Sequence, residues 1–357
     1  MAQSSALLDR GKPQRPGETL PLDRVLPWLR TAVSGLQGEP AVTQFTGGAS
    51  NWTYRLKFPS HDLILRRAPD GTKARGAHDM AREYRMQAAL AGSYPLVPRM
   101  LALCEDVAVI GSEFYVMERL RGIILRRNLP EGLDLDAEST RRLCRRALDA
   151  LIQLHQVDYE AAGLSSLATG AGFTQRQVEG WCKRYARART WNVPSGEKIM
   201  RWLRTHLPDD EPLCMTHNDF RFDNLVLDLQ DPTRIIGVLD WELASIGNPL
   251  MDLGNMLSYW IQADDDFLAR SMRRQPTHLP GMLSRDEVLA YYAEKTGFAV
   301  SDFTFYEAFG YFRLAGIIQQ IYYRFHLGQT SNPEFRHFWF FVRYLLWRCA
   351  RVIGRAH

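Results

Sequence analysis

The chain has 357 residues, of which 46% are apolar and 24% charged, with a formal net charge of +4. That length exceeds the usual single domain, so two lobes are expected, and so small a charge gives no argument for nucleic acid as a partner. Five scattered cysteines, at 104, 144, 182, 214 and 349, form no C-x-x-C pair, which argues against a disulfide framework or a zinc site and for a reducing, cytoplasmic setting.

Met1-Ala-Gln-Ser-Ser lacks the charged-then-apolar pattern of a leader, and no run of about 18 apolar residues predicts a membrane span. Residues 1–20 are polar with Pro and Gly, and read as a loosely held tail. Leu22–Leu36 predicts a first helix with Leu26, Leu29 and Val33 on one face. Val42–Phe45 then reads as a strand, followed by Thr46-Gly-Gly-Ala-Ser-Asn51 and a second strand, Trp52–Phe58. In the latter, Trp52, Tyr54, Leu56 and Phe58 alternate with Thr53, Arg55 and Lys57. An ordinary hairpin would use Gly47 and Gly48 for positive φ. A nucleotide-covering loop is built the same way, because glycines let backbone N–H groups approach phosphate oxygens. The motif further down the chain favours the second reading, with Gly47, Gly48, Ser50 and Asn51 as nucleotide contacts.

A third strand, Asp62–Arg67, follows directly. In a kinase this strand carries the cation that touches the α/β-phosphates. Arg66 holds that position, and Arg67 should point to the opposite face. A helix is expected from about Ala77 to Ala91, with Met80, Tyr84 and Ala88 as its apolar stripe and Glu83 beside it. Glu83 is then the candidate ion-pair partner of Arg66; the plainer alternative is a surface glutamate between Arg82 and Arg85. Asp106–Ile110 and Glu113–Glu118, joined by Gly111-Ser112, predict two more strands and complete a five-stranded antiparallel sheet. Met117, Glu118 and Leu120 fall at the hinge, where backbone groups could bond a purine edge.

From Leu120 onward the pattern is helical. Asp136 reads as an N-cap, with Leu143, Ala147, Leu151, Leu154 and His155 at helical spacing behind it; His155 reads as a packed core histidine. The densest chemistry lies in Cys214-Met-Thr-His-Asn-Asp-Phe-Arg-Phe-Asp-Asn-Leu-Val-Leu-Asp228. His217, Asp219 and Asn224 have the H-x-D-x-x-x-x-N spacing of a kinase catalytic loop. Such spacing occurs by chance, and His-Asn-Asp suits a simple turn. Its setting adds weight. Leu225–Leu227 and Ile235–Leu239 read as a buried hairpin, and Asn224 and Asp240 flank its two open ends. Phosphoryl transfer needs one carboxylate near the attacking hydroxyl, here Asp219. It also needs an amide and a second carboxylate to hold Mg²⁺ against nucleotide phosphates, here Asn224 and Asp240. Glu242 could add a ligand or only a supporting contact. Arg221 lies where a cation could reach the transferring phosphate, and His217 should hold the loop from inside. Asn248-Pro249 marks a helix start; Asp252 could brace the loop or cap its own helix. Arg270–Arg285 reads as an exposed loop containing Pro. The rest is aromatic-rich helix around Arg313 and Arg324, ending in the amphipathic stretch Phe338–Ile353.

From about residue 40, the chain resembles the aminoglycoside phosphotransferase/choline kinase superfamily. Within it, it resembles the branch related to the kinase-like N-terminal part of the larger acyl-CoA dehydrogenases. Leu63–Arg67, Arg82-Glu-Tyr84, Phe114–Glu118, His217–Asn224 and Asp240–Pro249 carry the likeness. It implies an α+β, protein-kinase-like bilobal fold: a tail over 1–20, a nucleotide-binding lobe over 21–119 and a mainly helical lobe over 120–357. It implies Asp219 as base, Asn224 and Asp240 as Mg²⁺ ligands, and Glu83 as partner of the nucleotide-lobe cation. Two departures stand out: Arg66 replaces the usual Lys, and Asn218 stands where this branch usually has Gly. The expectation is an ATP- and Mg-dependent kinase of a small-molecule hydroxyl, monomeric or homodimeric, without membrane or nucleic-acid partners. The branch suggests a hydroxyacyl thioester or other small acid as acceptor. Arg313 and Arg324, cations set in apolar runs, favour an anionic acceptor, with Glu307 as an alternative internal partner. Trp260 with Asp264–Asp266 keeps an amino-alcohol or aminoglycoside acceptor open. A catalytically silent nucleotide-binding module is the reading from another class, and the intact Asp219, Asn224 and Asp240 argue against it. No A-P-E segment follows Asp240, which disfavours a protein kinase.

Overall fold

Alternation in Trp52–Lys57 and β-rich composition in its neighbours build a sheet in the computed structural model, which describes residues 7–45, 51–69, 79–209, 212–330 and 332–355. Its strands are β1 (Ala41–Phe45), β2 (Trp52–Lys57), β3 (Asp62–Arg67), β4 (Met100–Cys104) and β5 (Phe114–Glu118). They run antiparallel in the order β1-β2-β3-β5-β4. The sheet has two covered faces. Tyr54, Leu56, Leu63 and Leu65 bury one against Val25, Leu26 and Leu29 of helix α1 (Leu22–Ala32). Ile64, Tyr115 and Met117 bury the other against Met80 of helix α2 (Met80–Leu90). Period two puts Arg66 on the Ile64 face, toward α2.

Several sequence expectations need correction. The strand before β5 is Met100–Cys104, not Asp106–Ile110. Asp106 folds its own carboxylate back onto the Ala108 N–H at 2.9 Å and starts a turn that ends in Gly111 at φ +83°. Helix α1 ends at Ala32 rather than Leu36, because Val33 turns extended and Gly35 takes φ +74°. In α2 the buried stripe is Met80, Glu83, Met86, Gln87 and Leu90, while Ala88 is exposed.

The helical part consists of α3 (Ala137–His155), α4 (Phe173–Ala188), α5 (Glu197–Thr205), α6 (Pro249–Ser258), α7 (Phe267–Met272), α8 (Arg285–Thr296), α9 (Thr304–His326) and α10 (Phe338–Ile353). Asp136 caps α3 by accepting from the Ser139 N–H, and Asn248 caps α6 with Pro249 at its first turn. The long helix α9 packs against α10, α6 and α4 and forms the axis of this core. Two short two-stranded sheets sit at its edge, β6 (Cys214–Thr216) with β9 (Ser245–Gly247), and the hairpin of β7 (Leu225–Leu227) with β8 (Ile235–Val238). The end of α2 does not belong to the sheet's core: Met86, Leu90 and the following Tyr94 pack with the helices, and Tyr94 donates to the Ala150 carbonyl at 3.0 Å. The segment after α7 is not the exposed loop its composition suggests, since Gln275, Pro276 and Thr277 are buried. Gln275 accepts the Phe222 N–H at 2.9 Å and so supports the 217–224 loop. Among the described residues, no helix is long and apolar enough to cross a membrane.

Candidate active site

The loop from His217 to Asn224 leaves β6 and enters β7, and its shape is set from below by Asp252 on α6. Asp252 is fully buried. Its Oδ2 accepts the His217 N–H at 2.7 Å, and its Oδ1 accepts the Asn218 N–H at 2.8 Å. His155 Nε2 lies 3.1 Å from the same carboxylate, and Tyr292 bonds the other ring nitrogen at 2.7 Å. Burial alone would raise the Asp252 pKa, but His155, His217 and the loop amide outweigh it and hold the carboxyl below its ordinary range. Asp252 therefore braces the loop, and His155 is a core histidine with a polar task.

Asn218 takes φ +63°, a left-handed conformation that Asn tolerates and glycine adopts freely. That is why Asn can stand where glycine is usual. His217 is buried, donates from Nε2 to the Leu239 carbonyl at 3.0 Å, and stacks obliquely on Trp241 at 5.1 Å. Its Nδ1 accepts the Asp219 N–H at 3.3 Å. Its hydrogen bonds tie the loop to the β7–β8 hairpin, and they leave no ring nitrogen for a reactant. Asn224 donates from Nδ2 to Asp219 Oδ2 at 3.1 Å and to the Asp219 carbonyl at 2.8 Å. Its Oδ1 is thereby the atom left to meet a cation.

Arg221 lines the cleft, with Nη2 donating to Asp223 at 2.9 Å, Nε 3.5 Å from Asp219, and its guanidinium 4.7 Å from the Tyr259 ring. Burial disfavours its charge, yet Asp219 and Asp223 keep its pKa well above the ordinary value. Burial likewise raises the Asp223 pKa, against the pull of Arg221. Neither Asp223 nor Tyr259 stood out in the sequence. The D two places past Arg221 was a readable signal; the ring is brought in by the fold alone.

Across the cleft, Arg66 meets three acids. Nη1 lies 3.3 Å from Glu83, and Nη2 lies 2.9 Å from Asp240 and 3.8 Å from Glu242. Glu83 is fully buried and also accepts the Tyr115 hydroxyl at 2.8 Å. Burial raises its pKa against the pull of Arg66, while Arg66 itself is held charged by Glu83 and Asp240 despite burial. Asn51 donates to Glu242 at 3.0 Å, tying the start of β2 to the hairpin. Asp240, like Asn218, has a left-handed backbone, at φ +66°. Gly47, Gly48 and Ser50 lie outside the described residues.

Met117, Glu118 and Leu120 border the same cleft, of about 160 Å³, with Arg66, Asn224 and Asp240. Glu118 also pairs with Arg99 at 3.3 Å. Among the described residues there is no group of three His, Cys, Asp or Glu able to hold a metal. Asp240 and the Asn224 oxygen, with Glu242 nearby, are nevertheless a hard-oxygen set that fits Mg²⁺, a cation that takes few protein ligands and completes its shell with water and phosphate oxygens.

The proposed acceptor residues divide. Arg313, on α9, is buried and donates from Nη2 to the Asn218 carbonyl at 2.8 Å, with its guanidinium 5.3 Å from the Trp181 ring. Arg324 is exposed: it shares the Arg313 stripe three turns on, but falls in the last turn of α9, past its packed neighbours. Glu307 is not the partner of Arg313; it lines a separate cavity of about 380 Å³ with Arg285 and Arg348. Trp260 is buried, with its indole N–H on the Leu283 carbonyl. Asp265 pairs with Arg285, and Asp266 caps α7. That acidic run serves its own surroundings.

The profile of the Phosphotransferase enzyme family matches residues 41–288. Acyl-CoA dehydrogenase family member 10 of Mus musculus is 34% identical over 325 residues, which cover 90% of this chain and 30% of that protein. The chain thus spans well under half of the relative it matches. A Ralstonia eutropha protein provisionally named an aminoglycoside phosphotransferase is 32% identical, with a TM-score of 0.79, over 93% of this chain and 98% of the other. Choline kinase from Cryptosporidium parvum, at 12% identity, shares the fold with a TM-score of 0.65 over 94% and 97%.

Proposed function

Because the chain belongs to the phosphotransferase enzyme family, we propose that it moves the γ-phosphate of ATP, with Mg²⁺, to a hydroxyl of a small molecule. The observation that carries this reading is that Asn224, which lines the cleft together with Asp240 and Arg66, is hydrogen-bonded to both the carboxylate and the carbonyl of Asp219. Asp219 orients the acceptor hydroxyl and takes its proton. Asn224 and Asp240 would hold Mg²⁺, with Glu242 close enough to assist; bound there, the ion would neutralise the phosphate oxygens. Arg66, fixed by Glu83, reaches the phosphates of the nucleotide, and Met117–Leu120 offer backbone groups to its base. Arg221 supplies positive charge beside the transferring group. Positioning and electrostatics furnish most of the rate.

The acceptor is a small hydroxy acid or hydroxyacyl thioester. The likeness to an acyl-CoA dehydrogenase family protein supports it, and so does Arg313, a buried cation beside the loop. An amino-alcohol acceptor would want free carboxylates, whereas Asp265 and Asp266 are already engaged. A silent nucleotide-binding module would not need Asp219.

The test is ADP release and ³¹P spectroscopy across a panel of hydroxy acids, hydroxyacyl thioesters, amino alcohols and aminoglycosides, in wild type and Asp219→Ala. Phosphorylation of an acidic member by wild type, lowered about 10²–10⁴-fold in the variant, supports the reading. Turnover confined to amino alcohols, or unchanged in Asp219→Ala, overturns it.

A further inference from the structure

Arg313 is 4% exposed, yet among the described residues one arm of its guanidinium, Nη1, has no hydrogen-bond partner and no carboxylate pairs with it. The other arm holds the Asn218 carbonyl, one residue before Asp219. Beside it lies Trp181 of α4, packed on α9 so closely that a Cβ added at Gly316 would meet the Trp181 ring at 3.1 Å. The same indole carries a second cation: Arg184, one turn along α4, lies 4.6 Å from the ring centroid. Burial and the neighbouring Arg313 charge both lower the Arg184 pKa, so the two guanidinium groups repel each other.

A buried cation normally finds a counter-charge, because leaving it unpaired is costly. Stacking on Trp returns part of that cost, but it cannot satisfy an N–H. The buried Arg313 charge, next to the loop that carries the base and with the exposed Arg184 at the same ring, has no counter-anion among the described residues. We propose that Arg184 and Arg313, both against the Trp181 ring, form an anion subsite that holds a carboxylate or phosphate group of the acceptor while its hydroxyl reaches Asp219. The assignment of that group to the acceptor rests on the kinase reading; the anion subsite itself does not.

The experiment follows the indole ¹⁵N–H signal of Trp181, assigned with Trp181→Phe, in full-length protein without nucleotide. Sodium sulfate and sodium acetate are titrated against sodium chloride at matched ionic strength. The expected result is a saturating shift with sulfate or acetate and none with chloride, the more potent of the two telling a phosphate-bearing from a carboxylate acceptor. Arg184→Met, a change at an exposed position, should weaken that binding at least tenfold, and Arg313→Lys should weaken it as well. Equal response to all three anions, no response, or an unchanged midpoint in Arg184→Met overturns the subsite. None of these readouts needs turnover, so an enzyme that never releases ADP would overturn the kinase reading and leave this result to stand or fall alone.

Discussion

Arg66 Nη2 donates to Asp240 Oδ1 at 2.9 Å while Nη1 of the same guanidinium lies 3.3 Å from Glu83. One cation from β3 thereby joins helix α2 to the turn after β8, across the cleft. Glu83 is buried, and among the described residues one of its oxygens has no hydrogen-bond partner, so it depends on Arg66 and Tyr115. Removing one member of a buried pair leaves the other charge uncompensated. Arg66→Met should therefore lower stability by about 3–5 kcal/mol, measured by denaturant unfolding. Arg66→Lys keeps the charge but loses the two-armed reach, and should fall between the two. A methionine variant as stable as wild type would refute the pairing.

Asp240 now shares its carboxylate with Arg66, and that changes what its loss should do. Asp240→Asn removes a charged oxygen from the candidate Mg²⁺ site and frees one arm of Arg66 to attract nucleotide phosphate. The Mg²⁺-dependent part of ATP binding should drop at least about tenfold, or about 1.4 kcal/mol, whereas binding of metal-free ATP should hold or improve. Calorimetry with and without Mg²⁺ reads both. Equal loss in the two titrations would point to a merely structural Asp240.

Much of this was legible in the residues. Strand period two put Arg66 on one face and offered Glu83 as its partner, although the helix stripe beside which Glu83 was set was itself misplaced, and a short loop fixed Asp219 and Asn224 together. These are local regularities, and the chain's pattern encodes them directly. The misplaced strand shows the limit. Asp106–Ile110 has the β-branched composition of a strand, whereas Met100-Leu-Ala-Leu-Cys104 has none; only pairing with β5 makes the latter extended, and the Asp106 side chain turns the former aside. Trp181, Arg184 and Tyr259 were invisible for a different reason. They reach the site through the packing of α4, α6 and α9, whose residues are distant in sequence, and no spacing rule joins them.

The passage between the lobes is narrow at Gly122. Ile123 and Leu227 exchange both backbone hydrogen bonds, at 2.9 and 2.8 Å. A Cβ on Gly122 would run into the Leu227 carbonyl and the Val226 side chain. The carbonyl belongs to the hairpin behind Asn224 and has no room to yield. Gly122→Ala should cost about 1–3 kcal/mol, the range for overpacking, and should raise the KM for ATP, since the Met117–Leu120 hinge moves with it. Thermal unfolding alongside ATP kinetics checks both, and an alanine variant with wild-type stability would contradict the close approach.

Asp252 joins fold to chemistry at the base of the 217–224 loop. It accepts two backbone N–H groups of the loop and the ring of His155, and its folded pKa lies below the ordinary 3.8. For a carboxylate with a lowered folded pKa, the unfolded chain binds the proton more readily. Its stabilisation is therefore complete at pH values above 3.8, and it drains away as pH falls through 3.8 toward the lower folded value. Asp252→Asn removes that dependence. It also replaces one acceptor oxygen with an NH₂ group that faces an N–H donor, so an orphaned loop amide results. That should cost about 2–3 kcal/mol, the penalty for an unsatisfied buried donor next to a lost charge. Activity should fall through kcat rather than KM, because Asp219 is displaced while the nucleotide contacts on the sheet stay intact. Unfolding free energies from pH 7 down to pH 3, in wild type and variant, are the decisive measurement: the two curves should converge as acid protonates Asp252, and parallel curves would show that this carboxylate does not carry the acid sensitivity assigned to it.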